Sequence, residues 1–166
     1  MRAVIQRVRA AGVSVGGREC AAIGPGAAVL VGVARGDTAA DAGYLAGKIS
    51  RLRIFDDAQG RMNRALAEVG GALLVVSQFT LLGDCRKGNR PGYTEAAPPD
   101  DAGPLYEEFV RRLRALGHEV QTGTFREHML VRIENDGPVT LLLDSRRDAD
   151  TGAPGGDGPP PPDPPA

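Results

Sequence analysis

The chain has 166 residues, 42% hydrophobic and 25% charged, which is the composition of one ordinary globular domain. Its net charge of -1 divides into a near-neutral first 145 residues, with 18 basic and 17 acidic groups, and a net-acidic tail, which excludes a generally basic nucleic-acid-binding surface. No apolar run reaches the roughly 20 residues that a membrane span needs, and Met1 to Val4 lead directly into a strand pattern with no signal peptide, so a cytoplasmic protein is expected.

In chain order, Ala3–Val8 and Gly12–Val15 read as short β-runs, and Gly16-Gly17 as a hairpin turn before Arg18–Ile23. Gly24-Pro25-Gly26 lacks the further glycine spacing of a nucleotide loop and reads as a plain turn. Ala27–Val33 is a continuous apolar run, suited to a buried strand. Thr38–Leu52 predicts a helix with Thr38 as its N-cap and Ala42, Leu45, Ile49 and Leu52 on one face. Arg53–Phe55 and the turn from Asp56 to Gly60 follow, and Ala72–Leu82 is the strongest strand candidate.

A second helix is expected from about Gly103 to Leu116, with Pro104 in its first turn, Gly117 just past its end, and Leu105, Phe109, Leu113 and Leu116 on its apolar face. Glu107/Arg111 and Glu108/Arg112 are spaced to pair on its outer face. Two strands, Met129–Glu134 and Val139–Asp144, close the domain as a hairpin around Asn135-Asp136-Gly137-Pro138. Seven of the 13 prolines fall between Pro154 and Pro165, where apolar side chains are nearly absent. Such a segment cannot offset its ordering entropy, so the domain is placed at 1–145 and a disordered tail at 146–166.

Cys20 and Cys85 belong to no Cys-x-x-Cys pair, and His118 and His128 have no ligand-spaced partners; neither a disulfide framework nor a metal site is expected. Three segments carry polar chemistry. Ser77, Gln78 and Thr80 appear where the apolar run Leu73 to Val76 ends, with Ser77 and Phe79 on one face of the expected strand and Gln78 and Thr80 on the other. Alone, this reads as a strand end turning polar as it reaches water. Gly137-Pro138 removes a ladder donor and exposes carbonyl oxygens, and alone it reads as an ordinary turn. Arg86-Lys87-Gly88-Asn89-Arg90 places three cations in five residues, enough to hold phosphates or simply to stay solvated.

Taken together, Ser77-Gln78-Phe79-Thr80-Leu81 and Asn135-Asp136-Gly137-Pro138-Val139-Thr140 resemble the D-aminoacyl-tRNA deacylase family. Supporting stretches are Ala3 to Val8, Tyr44 to Phe55, Gly88-Asn89-Arg90-Pro91 and Thr122 to Phe125, so the resemblance covers essentially all of 1–145. It implies a mixed α/β single domain with a mostly antiparallel, barrel-like sheet and two main helices. It also implies a cofactor-free homodimer that hydrolyses the ester at the 3′ end of D-aminoacyl-tRNA, with neither DNA nor membrane as partner.

In that resemblance a cis Gly137-Pro138 bond reaches into the other subunit's site, and the two carbonyls hold the substrate's α-ammonium. An L side chain is turned into backbone, a D side chain points outward, and glycine passes as a second substrate. The resemblance further implies that N–H groups around Phe79 and Thr80 stabilise the oxyanion and that Ser77 and Gln78 orient ester and ribose. Phe125 and Met129 receive the terminal adenine, and Arg7 holds the Gly-Pro segment. No His or Lys is evident as a base for Thr80, so the expected attack is by water assisted by the ribose 2′-hydroxyl.

Overall fold

The computed structural model describes residues 1–146; the expected tail, from residue 147 onward, lies outside the described residues. The elements in chain order are β1 (Arg2–Val15), β2 (Arg18–Ile23), β3 (Gly26–Gly32), α1 (Ala39–Arg51), β4 (Arg53–Asp56), β5 (Met62–Ala65), β6 (Ala72–Ser77), α2 (Pro99–Ala115), β7 (Val120–Thr122) and β8 (Met129–Asp144). Six strands form one nearly closed, barrel-like sheet, ordered β2-β1-β3-β6-β7 with β8 along the other side of β1, while β4 and β5 form a separate hairpin. The expected mostly antiparallel sheet is corrected to a mixed one. β1 pairs antiparallel with β2, β3 and β8, but β3–β6 and β6–β7 are parallel. The parallel pairs follow from the helical crossovers, because a strand that returns by way of a helix runs in the same direction as the one before it.

Two cores explain the apolar runs. Leu73 and Val75 of β6 face α1 and α2, alongside Ile5, Val29, Val31, Leu45, Phe109 and Leu113. Leu74 and Val76 face the opposite way, into a cluster with Val8, Val13, Ile23 and Ala28. A strand buried on both faces has no polar side to alternate, hence the unbroken run. In α1, Thr38 caps the helix and Asp41 completes the capping box, while Ala42, Leu45, Ala46 and Ile49 are buried. α2 starts four residues before the expected Gly103. Pro99 takes its first position and Asp100 and Asp101 its first turn, so Pro104 lies inside the helix. There it lacks the N–H that would donate to the carbonyl of Asp100, an exposed residue in the first turn that water can reach. The inner face of α2 is Tyr106, Phe109, Val110 and Leu113, whereas Leu116 is 50% exposed. On its outer face Glu108 pairs with both Arg111 and Arg112.

The hairpin expected between 129 and 144 is overturned. β8 is one strand, and both halves run antiparallel along β1, from Met129 opposite Val15 to Asp144 opposite Arg2. Gln6 lies opposite Thr140 and Val8 opposite Asn135, so three more residues separate the partners on β8 than on β1. Asp136, Gly137 and Pro138 are expelled as a bulge. A second register shift between Val8 and Ala10 explains why β1 read as two runs. The bulge re-phases the strand: the odd positions Ala3 and Ile5 face the core beneath the helices, whereas beyond it the odd positions Ala11 and Val13 join Val8 in the opposite core. Arg146, placed in the tail from sequence, is tied to the domain by hydrogen bonds to Asp37 and to the Arg35 carbonyl.

Candidate active site

β6 ends at Ser77, opposite Val31 of β3, and the chain then leaves the sheet. Gln78 donates its N–H to the Val31 carbonyl at 2.8 Å, and Phe79–Leu82 make a 3-10 turn. The strand expected to continue to Leu82, with alternating faces at 77–80, is thereby corrected. Gly32 permits the turn, because a Cβ there would lie 2.5 Å from Leu82 Cδ2 and 2.8 Å from the Gln78 carbonyl. Within the turn Leu81 N–H donates to Gln78 and Gly83 N–H to Thr80. The leading N–H groups, those of Phe79 and Thr80, have no acceptor inside such a turn.

Ser77, Gln78 and Phe79 form one wall of a cavity of about 540 Å³. Phe125, Arg126, Glu127, His128 and Met129 form another, with Tyr93, Ala97 and Ala102 completing it. Phe125 stacks on Tyr106 of α2 at 5.9 Å between ring centroids, and Tyr106 is fixed by its hydroxyl donating to the Val75 carbonyl at 2.9 Å. Burial pushes the Tyr106 hydroxyl up to about 12, so it remains a protonated donor. Met129 lies over Gly123, where a Cβ would come within 2.6 Å of its sulfur. Phe79 is 55% exposed, and its ring meets the edge of Tyr93 at 5.1 Å. Thr80 is exposed, does not line the cavity, and accepts a hydrogen bond from the Gln78 side-chain amide.

The other expected residues lie apart from this cavity. Gly137 and Pro138, joined by a cis peptide, form no part of its lining. They are braced from beneath. Arg7 is buried, and its guanidinium donates to the carbonyls of Ile54 (2.9 Å) and Asp136 (3.3 Å) and to the Asp56 carboxylate (3.1 Å). Asn135 spans the neck of the bulge, its side-chain amide donating to the carbonyls of Arg7 and Val139. Asp136 also pairs with Arg9. A Cβ on Gly137 would lie 2.9 Å from both Arg7 Nη2 and Val139 Cγ2, and its φ of +113° belongs to glycine.

The structure thus brings Ser77, Gln78, Phe79, Phe125 and Met129 together on one cavity, and Arg7, Gly137 and Pro138 together on one bulge. Sequence reasoning missed Tyr93, Arg126, Glu127 and His128 on the cavity wall, and the brace formed by Asn135 and Asp56. Only Asn135 carried a signal, as part of a quoted motif; Asp56 ends β4, and the cavity residues converge from segments with no periodicity. His118 is a structural histidine, buried and bonded to Ser50 at 2.7 Å. Among the described residues no group of three or more His, Cys, Asp or Glu is placed to hold a metal ion, and no helix is long and apolar enough to cross a membrane.

Residues 4–144 match the family model of D-Tyr-tRNA(Tyr) deacylase. A D-aminoacyl-tRNA deacylase of Heliobacterium modesticaldum is 60% identical over 146 residues, covering 88% of this chain and 97% of that one. One from Anaeromyxobacter dehalogenans is 62% identical over 147 residues, covering 89% and 99%. A solved structure described as c-Myc DNA unwinding element binding protein superposes with a TM-score of 0.82 at 38% identity, covering 87% of this chain and 98% of that one.

Proposed function

The chain belongs to the D-Tyr-tRNA(Tyr) deacylase family and is a hydrolase acting on D-aminoacyl-tRNA, and from that premise we propose that it works as a homodimer in which each Gly137-Pro138 bulge completes the partner's cavity. The observation that carries this reading is the separation of the two halves. The bulge is rigidly braced by Arg7 and Asn135, yet it lines no part of its own chain's cavity. A second copy supplies what one chain lacks.

The cavity takes the terminal aminoacyl-adenosine, with the adenine against Phe125 and Met129, since unpaired bases are recognised by stacking on aromatic rings. The partner's Gly137 and Pro138 carbonyls accept from the α-ammonium, a charge-assisted contact that fixes the Cα substituents. The L side chain then collides with backbone, the D side chain points to solvent, and glycine, with only hydrogen, is cleaved as well.

Water, assisted by the ribose 2′-hydroxyl, adds to the ester carbonyl. The Phe79 and Thr80 N–H groups hold the oxyanion, an arrangement worth most where donors are pre-aimed. The bond to the ribose oxygen breaks, that oxygen takes a proton, and free amino acid and tRNA leave. Thr80 acts in positioning, with its hydroxyl engaged by Gln78 and, among the described residues, no imidazole or amine hydrogen-bonded to it. Such work on aminoacyl-tRNA belongs in the cytoplasm, with tRNA bound as RNA.

Complementation tests the reading. Gly137→Ala protein and a cavity variant, Phe125→Ala, each lose activity toward D-Tyr-tRNA, and mixing them after dissociation should restore it, because one site per mixed dimer is intact. L-Tyr-tRNA should stay uncut by the unmodified protein. Absence of restoration, or equal hydrolysis of both enantiomers by the unmodified protein, would falsify it.

A further inference from the structure

The basic segment Arg86-Lys87-Gly88-Asn89-Arg90 has no role in this chemistry, yet its placement is specific. The chain leaves the Phe79–Leu82 turn through Gly83 and makes a loop pinched shut where Asp84 and Gly92 exchange backbone hydrogen bonds at 2.7 and 2.9 Å. The next residue, Tyr93, returns to the cavity wall and packs its ring on Phe79. Both ends of the loop are thus fixed to the cavity, and the loop stands at its rim.

Inside the loop the charges are divided. Arg86 is spent on Asp84, donating from its Nε and Nη2 to the two carboxylate oxygens at 2.9 and 2.7 Å. These hydrogen bonds hold the Asp84 carboxyl down to about 2, so Asp84 stays ionised as a partner for Arg86 at any working pH. Glu95 adds a weaker negative charge beside Arg86. Lys87 and Arg90 are exposed and, among the described residues, have no ion pair or hydrogen bond. Gly88, with φ of +66°, turns the chain between them. Two unpaired cations are therefore carried on a clasped loop beside the cavity.

We propose that Lys87 and Arg90 bind phosphates of the tRNA acceptor strand just 5′ of the esterified nucleoside. This rests on the reading of the cavity as the aminoacyl-adenosine site. With the terminal nucleoside held there, the preceding nucleotides must leave over the rim, and each carries a phosphate charge. The domain itself is close to neutral, so local cations supply the contact that general attraction does not. Phosphate contacts of this kind set register and affinity without reading sequence, which suits an enzyme that meets tRNAs of more than one sequence.

The test compares two substrates differing only in phosphates: D-Tyr-tRNA and D-tyrosine esterified to the 3′ oxygen of free adenosine. In Lys87→Ala/Arg90→Ala protein, KM for D-Tyr-tRNA rises while kcat stays within twofold, and kcat/KM on the adenosine ester is unchanged. Each phosphate contact contributes a slope of about 0.7–0.9 to log affinity against log salt. The unmodified protein's advantage on tRNA should therefore shrink roughly tenfold between 50 and 200 mM salt. Equal KM and equal salt slopes for the two proteins on tRNA overturn the proposal while leaving the cavity assignment standing. A parallel loss on the adenosine ester also overturns it, since the loop would then serve the cavity's shape. If the unmodified protein shows no preference for D over L in the same assay, the cavity reading falls and takes the loop's role with it.

Discussion

Gly137 and Thr80 show how different two conspicuous residues become once their surroundings are known. At Gly137 the backbone angle and the nearby Arg7 and Val139 atoms leave no room for a methyl group. Gly137→Ala must strain the bulge, at a cost of about 1–3 kcal/mol, which a domain with two cores survives. The carbonyl directions proposed to judge handedness move with it. Its discrimination between D- and L-Tyr-tRNA should fall by roughly tenfold or more, the effect of about 1.4 kcal/mol, while its melting transition stays cooperative. Intact selectivity would remove the bulge from the filter. Thr80 has the chemistry of a nucleophile but its hydroxyl is held by the Gln78 amide, outside the cavity lining. Thr80→Ala should keep single-turnover deacylation within about tenfold, less than the 10²–10³ loss expected from removing an oxyanion donor. Complete loss would restore the hydroxyl to the chemistry.

β8 and the helix pair fix the site's parts more than any single side chain does. Asn135 bridges the carbonyls of Arg7 and Val139 across the bulge. Asn135→Ala leaves two acceptors poorly paired and should cost about 1–3 kcal/mol in urea unfolding. Selectivity should fall alongside; a stability loss with untouched selectivity would show that the bulge holds its shape without this clamp. At the far end of the helices, Ser50 of α1 meets His118, just past the end of α2. Burial holds the His118 ring below its ordinary value, so the unfolded chain takes up a proton at a higher pH than the folded one. The stability from this neutral ring is full above the ordinary value near 6.5 and is lost as pH falls toward the folded value. That slope is at most about 1.4 kcal/mol per pH unit. His118→Gln should flatten the decline in Tm between pH 7 and 5, and an unchanged decline would assign acid sensitivity elsewhere.

At the scale of the whole molecule, the elements that obey one local rule were legible in the sequence. The capped α1, the Gly16-Gly17 turn and the doubly buried β3 and β6 each follow from periodicity or turn chemistry acting within a dozen residues. What was misread depends on partners distant in the chain. The bulge in β8 looks like a hairpin turn until β1 is seen pairing with both of its halves. β6 ends at Ser77 because Gly32 admits the turn after it, and the cavity gathers Tyr93 and residues 126–128 from loops. The contacts that tie down Ser145 and Arg146 were not legible for the same reason, since their partners lie more than a hundred residues away. Ser145 accepts from the Met1 amino group and donates to Asp41, and Arg146 pairs with Asp37. Cutting after Asp144 should therefore lower Tm, whereas cutting after Arg146 should not. Residues 147–166 carry one arginine and four aspartates, a net charge that repels tRNA if it acts at all. At 0.15 M salt, charges more than about 8 Å apart are largely screened, so removing these residues should leave kcat/KM for D-Tyr-tRNA within twofold. Any gain should be confined to low salt. A large fall instead would mean that the acidic, proline-rich segment contributes to deacylation by some route other than charge.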